Sequence, residues 1–333
     1  MHPVEVANGI HWVGVLDPQL RIFDVIMRAE QGTSYNAYLV QGRARTALIE
    51  TSKGRFADTF LETLGRVVDP ARIDYVVLNH LEPDHSGALG TLAEVAPRAR
   101  AVVTKPGSVF LRQILNRDVD PLVVTDGQEI DLGGKTLRFL LTPFLHWPDT
   151  MFTYAVEDQV LFPCDFLGAH YCDDRLFNDL VDNYEYAFRY YFHVIMRPFK
   201  EHVRKGLEKI QDLPLRAVCP SHGPILRTRI RGVPGEVPAV GHRARQRAGQ
   251  AAAGVLRQLL REHREDGPGY RDRGPSGRVR RGPVRPGGRG LRGRFGRPGG
   301  GRRGGRGVVH HQRRCPGARL AAARVHGHGT REG

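Results

Sequence analysis

Residues Asn79–Gly87 read NHLEPDHSG and follow directly on the apolar run DYVVL. Within six positions they set His80, Glu82, Asp84 and His85. Imidazole and carboxylate are the side chains that bind divalent metals. His80 and Glu82 stand two apart at the expected end of a buried strand, so they project to one side. Asp84 and His85 are expected in the turn that follows. Four ligand-type residues split two and two suit a pair of metals about 3.5–4 Å apart. One histidine at a strand end is more often structural than a ligand; four such groups together favour metal binding.

Three more ligand-type residues each stand just past an apolar run. His146 lies in TPFLHWPDT after LRFLL, Asp165 in LFPCDFLGAH after QVLF, and His222 in PSHGPI after RAVC. Singly each is weak, since Asp165 could cap a turn and His222 could sit in a surface loop. With the first cluster they make seven ligands, enough for two metals sharing one carboxylate.

The elements that must position these residues read as α/β. Strand-like runs IHWVGV, SYNAYLV, TALIE, DYVVLN, RAVVT, PLVVT, LRFLLTP, MFTYAVED, QVLFPCD and RAVCPS are bounded by turn residues. Helical patterns RFADTFLETLGRVV, GALGTLAEVA and GSVFLRQIL lie between them, and a long one from about Tyr184 to Ile210 is expected to kink or split at Pro198. This order predicts two packed sheets with helices outside.

The chain has 333 residues and a formal charge of +15, which on its face suggests nucleic acid or a membrane surface. The charge is unevenly placed. Residues 232–333 hold 24 Arg, no Lys and six acids, whereas residues 1–231 hold 26 bases and 29 acids. The expected organisation is a folded domain over 1–231 and a disordered Arg/Gly-rich tail over 232–333, too poor in apolar residues to offset its ordering entropy. Four cysteines without CxxC spacing imply neither a disulfide framework nor a zinc ribbon. No run approaches a membrane span and no signal-peptide pattern opens the chain, so a soluble cytoplasmic protein without membrane association is expected.

The order HxExDH … H … D … H resembles the metallo-β-lactamase superfamily, an αββα sandwich with its metals at one rim. Its hydrolases carry HxHxDH and usually zinc; Glu82 stands where they have the second histidine. The phrases TPFLHWPDTM, LFPCDFLGAH and PSHGPI are similar to those of the flavodiiron proteins, or A-type flavoproteins, over residues 5–231. The resemblance implies that His80, Glu82 and His146 hold one iron, that Asp84, His85 and His222 hold the other, and that Asp165 bridges them. It implies reduction of dioxygen to water or of nitric oxide to nitrous oxide. A carboxylate for an imidazole makes the site harder and more anionic, which suits iron that cycles to the ferric state. A zinc hydrolase has no redox step to support, and remains the alternative reading. His170 is a candidate catalytic residue beside the metals, with a packed, backbone-bonded histidine as the plainer alternative. Trp147 is a candidate flavin contact, with ordinary packing as its alternative. Cys164 reads as a small buried residue.

Family members continue into an FMN-binding flavodoxin-like domain and assemble as homodimers or homotetramers. Their electron donors are rubredoxin-like proteins or flavin reductases. The tail has no such alternation of strands and helices, so FMN is not expected on this chain. Specific nucleic-acid binding is not expected either. The tail instead resembles GC-rich DNA read out of frame. One permitted coding of RQLLREHREDG, Arg257 to Gly267, reads VSSYGNTEKMA one base later, a phosphate-loop-like run. The same shift turns VPGEVPAVGHRA, RGVVHHQRRCP and ARLAAARVHGHG into YLARYRRWATA, VGSSTINGDAP and RVWPLLASMAT, in the order the family uses. The expectation is a frameshift between Leu226 and Val233. Sequencing the DNA across those codons tests it: a one-base discontinuity with a flavodoxin-like shifted frame supports it, and a clean read with none overturns it.

Overall fold

The structure, a computed structural model, describes residues 1–227 other than Val25 and Arg117, together with Gly254. Contacts divide the chain into units Met1–Tyr270 and Arg271–Gly333, and the described residues all lie in the first. The expected boundary at 231/232 and the readings of the tail lie outside the described residues.

The strands are β1 (Val4–Ala7), β2 (Ile10–Trp12), β3 (Val15–Asp17), β4 (Ile22–Phe23), β5 (Met27–Arg28), β6 (Thr33–Tyr35), β7 (Tyr38–Gln41), β8 (Thr46–Ile49), β9 (Tyr75–Val77), β10 (Arg100–Val103), β11 (Leu122–Val123), β12 (Glu129–Asp131), β13 (Thr136–Leu141), β14 (Met151–Ala155), β15 (Val160–Phe162) and β16 (Ala217–Val218). One sheet has the order β1-β2-β7-β8-β9-β10-β11, the other β12-β13-β14-β15-β16. The first begins antiparallel and turns parallel from β8 onward; the second is antiparallel until β16 joins β15 in parallel. Parallel neighbours need crossovers, which the helices provide.

Period-two alternation divides each strand between two cores. From the first sheet Tyr38, Val40, Ala47, Ile49 and Val77 point inward and meet Leu137, Phe139, Met151, Val160 and Phe162 of the second. On the outer face of the first sheet, Leu39, Leu48 and Val76 meet Phe60 and Leu64 of α1 (Ala57–Gly65), Leu89 and Leu92 of α3 (Leu89–Val95) and Leu111 of α4 (Lys105–Leu115). On the outer face of the second, Phe152, Tyr154, Leu161 and Val218 meet α5 (Glu185–Tyr191) and α6 (Lys200–Ile210) through Phe188, Tyr191, Val203, Leu207 and Ile210. Helix, sheet, sheet, helix is the αββα order expected. Among the described residues no helix is long and apolar enough to cross a membrane.

The structure departs from the sequence reading in detail. Strand β9 stops at Val77, so His80 and Glu82 stand in the loop beyond it. Asp84 and His85 lie in a one-turn helix, α2 (Pro83–Ser86), opened by Pro83 at its first position. The long helical pattern splits into α5, a wide turn over Phe192–Met196, a 3-10 turn over Arg197–Phe199 carrying Pro198, and α6. Strands β1, β3, β4, β5 and β12 were not anticipated.

The ligand-bearing rim is tied across the sheets by Asn79. Its amide donates to Phe162 O at 3.2 Å, its side-chain oxygen accepts from Thr153 Oγ1 at 2.6 Å, and its carbonyl accepts from Met151 N at 2.9 Å. Gly87 lets the helix α2 loop close on residues 52–54: a Cβ there would stand 2.4 Å from both Gly54 N and Pro83 O, which are backbone atoms. The G87A variant is expected to lose about 1–3 kcal/mol of stability and to weaken metal binding, measured by denaturant melts and metal titration.

Candidate metal centre

Four loops at one rim bring the seven candidate ligands together. His80, Glu82, Asp84 and His85 come from the β9–α3 connection, His146 from β13–β14, Asp165 from the loop after β15, and His222 from the loop after β16. The donor atoms fall into two sets. In the first, His80 Nε2 is 3.0 Å from Glu82 Oε2 and 3.7 Å from Asp165 Oδ2, and His146 Nε2 is 3.3 Å from each of those oxygens. In the second, His85 Nε2 is 3.4 Å from Asp84 Oδ1 and 3.2 Å from Asp165 Oδ1, and His222 Nε2 is 3.1 Å from Asp84 Oδ2 and 3.4 Å from Asp165 Oδ1. Two ligands about 2.1 Å from one metal, at tetrahedral or octahedral angles, stand about 3.0–3.4 Å apart. All but the 3.7 Å His80–Asp165 pair match that spacing, and Asp165 gives one oxygen to each set.

The donors fit a metal and little else. Both oxygens of Asp84, His85 Nε2 and Asp165 Oδ1 are buried without a hydrogen-bond partner. Lone pairs of imidazole and carboxylate facing one another in the interior need a cation between them. Hydrogen bonds at the far ring nitrogens orient two of the histidines. His222 Nδ1 donates to Ser34 O at 2.7 Å; a carbonyl can only accept, so Nε2 is left bare toward Asp84 and Asp165. His80 Nδ1 is 3.3 Å from Asp149 Oδ1, whose second oxygen accepts from Leu81 N at 2.9 Å. Such outer partners are usual at metal-bound histidines.

The two sides of the centre differ. Toward the surface, the His146 side chain is 16% exposed and that of Glu82 12% exposed, and Trp147 stands edge-on to His80 at 4.9 Å and to Phe110 at 5.9 Å. On the inner side His170 packs 4.3 Å from Phe23, 5.0 Å from Tyr191 and 4.9 Å from His222. Its Nδ1 lies 2.8 Å from Thr33 Oγ1, and its Nε2 is buried without a partner. Burial pushes its pKa down to about 3, so it is neutral. Cys164 stands beside His85 and Asp165, but burial raises its pKa well above the usual thiol value and keeps it protonated.

Several residues around the site escaped the sequence reading. Asp24, between β4 and β5, has its pKa raised by partial burial and then by the charges of Glu82 and Asp84. The Tyr191 hydroxyl is raised by burial and then by Asp165 and Asp84. Glu50 is 1% exposed and accepts from Asn79 N at 3.0 Å; burial pushes it up to about 8. Asp149 lay within the quoted phrase TPFLHWPDT, and Asn36 was a polar residue inside the apolar run SYNAYLV. Tyr191 and Asp24 carried no comparable signal.

Burial disfavours charge on His80, His85 and His146, yet the surrounding carboxylates outweigh it and raise all three to about 10. Burial likewise opposes ionisation of Glu82, Asp84 and Asp165, but the histidines hold them below the usual carboxylate range. In the metal-free chain the raised histidines stabilise fully below about pH 6.5 and lose that contribution as pH climbs toward 10. The lowered carboxylates stabilise above about pH 4 and lose it as pH falls. A metal must displace the histidine protons, so its affinity rises with pH. Melting of metal-free protein from about pH 6 to about pH 9 is expected to show falling stability. Metal titrations over the same interval are expected to show tightening.

A family model described as ODP family beta lactamase matches residues 33–223. The flavo-diiron protein FprA2 of Clostridium acetobutylicum is 47% identical over 231 residues, covering 68% of this chain and 58% of that protein. The type A flavoprotein fprA of Rhodobacter capsulatus is 48% identical over 232 residues, covering 69% of this chain and 53% of that one. The solved structure of rubredoxin oxygen:oxidoreductase from Desulfovibrio gigas superposes with a TM-score of 0.65 at 31% identity, over 67% of this chain and 57% of that one. The chain thus spans a little over half the length of the curated relatives it matches. With a β-lactamase-type sandwich, a family model matching more than half its length and these relatives, the chain belongs to the flavodiiron, or A-type flavoprotein, family of the metallo-β-lactamase superfamily.

Proposed function

We propose that residues 1–227 form the di-iron core of an oxidoreductase that reduces dioxygen to water, nitric oxide to nitrous oxide, or both. The observation that carries this reading is the set of two donor clusters on opposite oxygens of Asp165, with Glu82 as a further carboxylate in the first. His80, Glu82 and His146 would hold one iron, Asp84, His85 and His222 the other, with Asp165 between them. When bound, the iron pair supplies the electrons that the small-molecule substrate takes up.

The chain's own groups prepare that chemistry. Asp149 and the Ser34 carbonyl fix the rings of His80 and His222, so these ligands need little reorganisation. Phe23 and Tyr191 wall the inner side beside His170 and keep bulk water from it. His170, neutral and with Nε2 unpartnered, can hydrogen-bond a small polar substrate there. The Tyr191 hydroxyl, its pKa raised by burial and by the charges of Asp165 and Asp84, stays protonated and can donate a hydrogen bond on that side. Electrons are supplied from the opposite side, past Trp147 and His146. Flavodiiron proteins carry FMN as well as iron, and one structural relative is titled a rubredoxin oxygen:oxidoreductase. Reduced flavin, a rubredoxin-like protein or a flavin reductase is therefore the proposed donor class, and a homodimer or homotetramer the proposed assembly.

Protein produced with iron and kept from air is expected to contain about two irons per chain and to consume dioxygen or nitric oxide when given reduced flavin and a rubredoxin-like donor. The D165A variant is expected to lose metal and at least about 100-fold in rate. Two zincs per chain with ester hydrolysis and no reductase activity would favour the hydrolase instead.

A further inference from the structure

We infer that Asn36, in the connection between β6 and β7, is a positioning residue for one metal half-site: its amide clamps the loop that carries His222 and so governs the metal held by Asp84, His85 and His222. The inference rests on the di-iron reading above and assigns to a residue outside the ligand set control over one of the two metals.

The contacts are specific. Asn36 is 1% exposed. Its backbone N–H donates to Ser221 O at 2.8 Å. Its side-chain Nδ2 donates to Pro220 O at 2.8 Å and to Gly223 O at 2.9 Å, the carbonyls on either side of the Ser221–His222 pair. Its Oδ1 accepts from Trp12 Nε1 at 2.8 Å, and an indole N–H can only donate, so Trp12 decides which end of the amide faces the loop. Only a primary amide offers two donors and an acceptor in this arrangement. An aspartate of the same shape would set a carboxylate against two carbonyls.

Neighbours on the same segment complete the grip. Ser34 Oγ accepts from Gly223 N at 2.8 Å, Ser34 O accepts from His222 Nδ1 at 2.7 Å, and Tyr38 Oη donates to Pro220 O at 2.8 Å. The loop cannot slide away from the clamp. Gly223 has φ +76°, and a Cβ there would stand 2.5 Å from Ala169 O. Other residues hold the remaining ligand loops: Asp149 bonds His80 and Leu81, and Thr51 donates to His85 O through both its backbone N–H at 2.9 Å and its hydroxyl at 2.6 Å. The His222 loop also touches the Asp165 loop, through Ser221 N to Cys164 O at 2.9 Å and Ala169 N to His222 O at 3.2 Å, but the Asn36 amide bonds only the former, so its loss falls first on the His222 half.

The test is anaerobic ferrous titration of the metal-stripped full chain against a competing chelator, for wild type, Asn36→Asp and Trp12→Phe. His222→Ala and His146→Ala serve as one-iron references, and melting of each metal-free variant is measured in parallel. Wild type is expected to bind two irons. N36D is expected to keep one and to bind the second about 10–100-fold more weakly, with a one-iron absorption and paramagnetic-resonance signature like that of H222A and unlike that of H146A. W12F keeps the donors but frees the amide to turn, and is expected to weaken the same step to a smaller degree. If N36D does not fold, W12F decides alone. Equal weakening of both steps, or none, would overturn the inference and leave the di-iron reading standing. A wild-type chain that binds fewer than two irons would overturn both.

Discussion

Asp165 has to turn its two oxygens to opposite sides, and the rest of the rim is arranged around that requirement. A carboxylate set between two groups of imidazoles is buried deeply enough that neither oxygen can turn to water. Its place in the loop after β15, with that strand between β14 and β16, puts it on an inner strand of the second sheet, one in from the edge. The four residues from the first sheet then approach from one side and His146 and His222 from the other. The αββα layering is what makes this meeting possible: two sheets, each covered by helices, leave one rim where loops from both can converge without exposing either core.

The charge balance at that rim is local. Glu82, Asp84 and Asp165 form a concentration of negative charge among four histidines, in surroundings too buried for water to screen it. Protons on His80, His85 and His146 answer that charge in the metal-free chain, and metal ions are a better answer because each can meet several donors at once. Glu50 and Asp24 add acidic groups just outside the ligand set, and both have their pKa raised by burial first. Glu50, pushed up to about 8, is uncharged near neutral pH, so the negative charge stays with the donors themselves.

The sequence disclosed the layering and the identity of the donor-type residues, because both depend on short-range patterns. Apolar runs with turn residues at their ends mark the longer strands, and each of the seven residues follows such a run closely. Strands of two or three residues such as β4, β5 and β12 contain too few alternations to register as a pattern. The residues that orient the donors were harder to see. Tyr191 sits within the apolar stripe of α5 and reads as core, which it also is. Asp24 lies in a segment without periodicity, and Asp149 matters only because its loop brings it under His80. Pairing across more than a hundred residues, as between Asn36 and the His222 loop, leaves no local trace in a single chain.

The donors of each cluster come from both sheets: His80 and Glu82 with His146 and Asp165 in one, Asp84 and His85 with His222 and the second oxygen of Asp165 in the other. Any ion held there is a clasp across the sandwich at one end, while at the other end the N–H groups of Arg43, Ala44 and Arg45 donate to the carbonyls of Gly133 and Leu132 in the β12–β13 connection of the second sheet. Loading the site thus shortens the list of ways the two sheets can separate, and leaves the far rim, held by neutral hydrogen bonds rather than by bonds to an ion, as the weaker end. The same ions that would carry electrons also decide where the molecule comes apart.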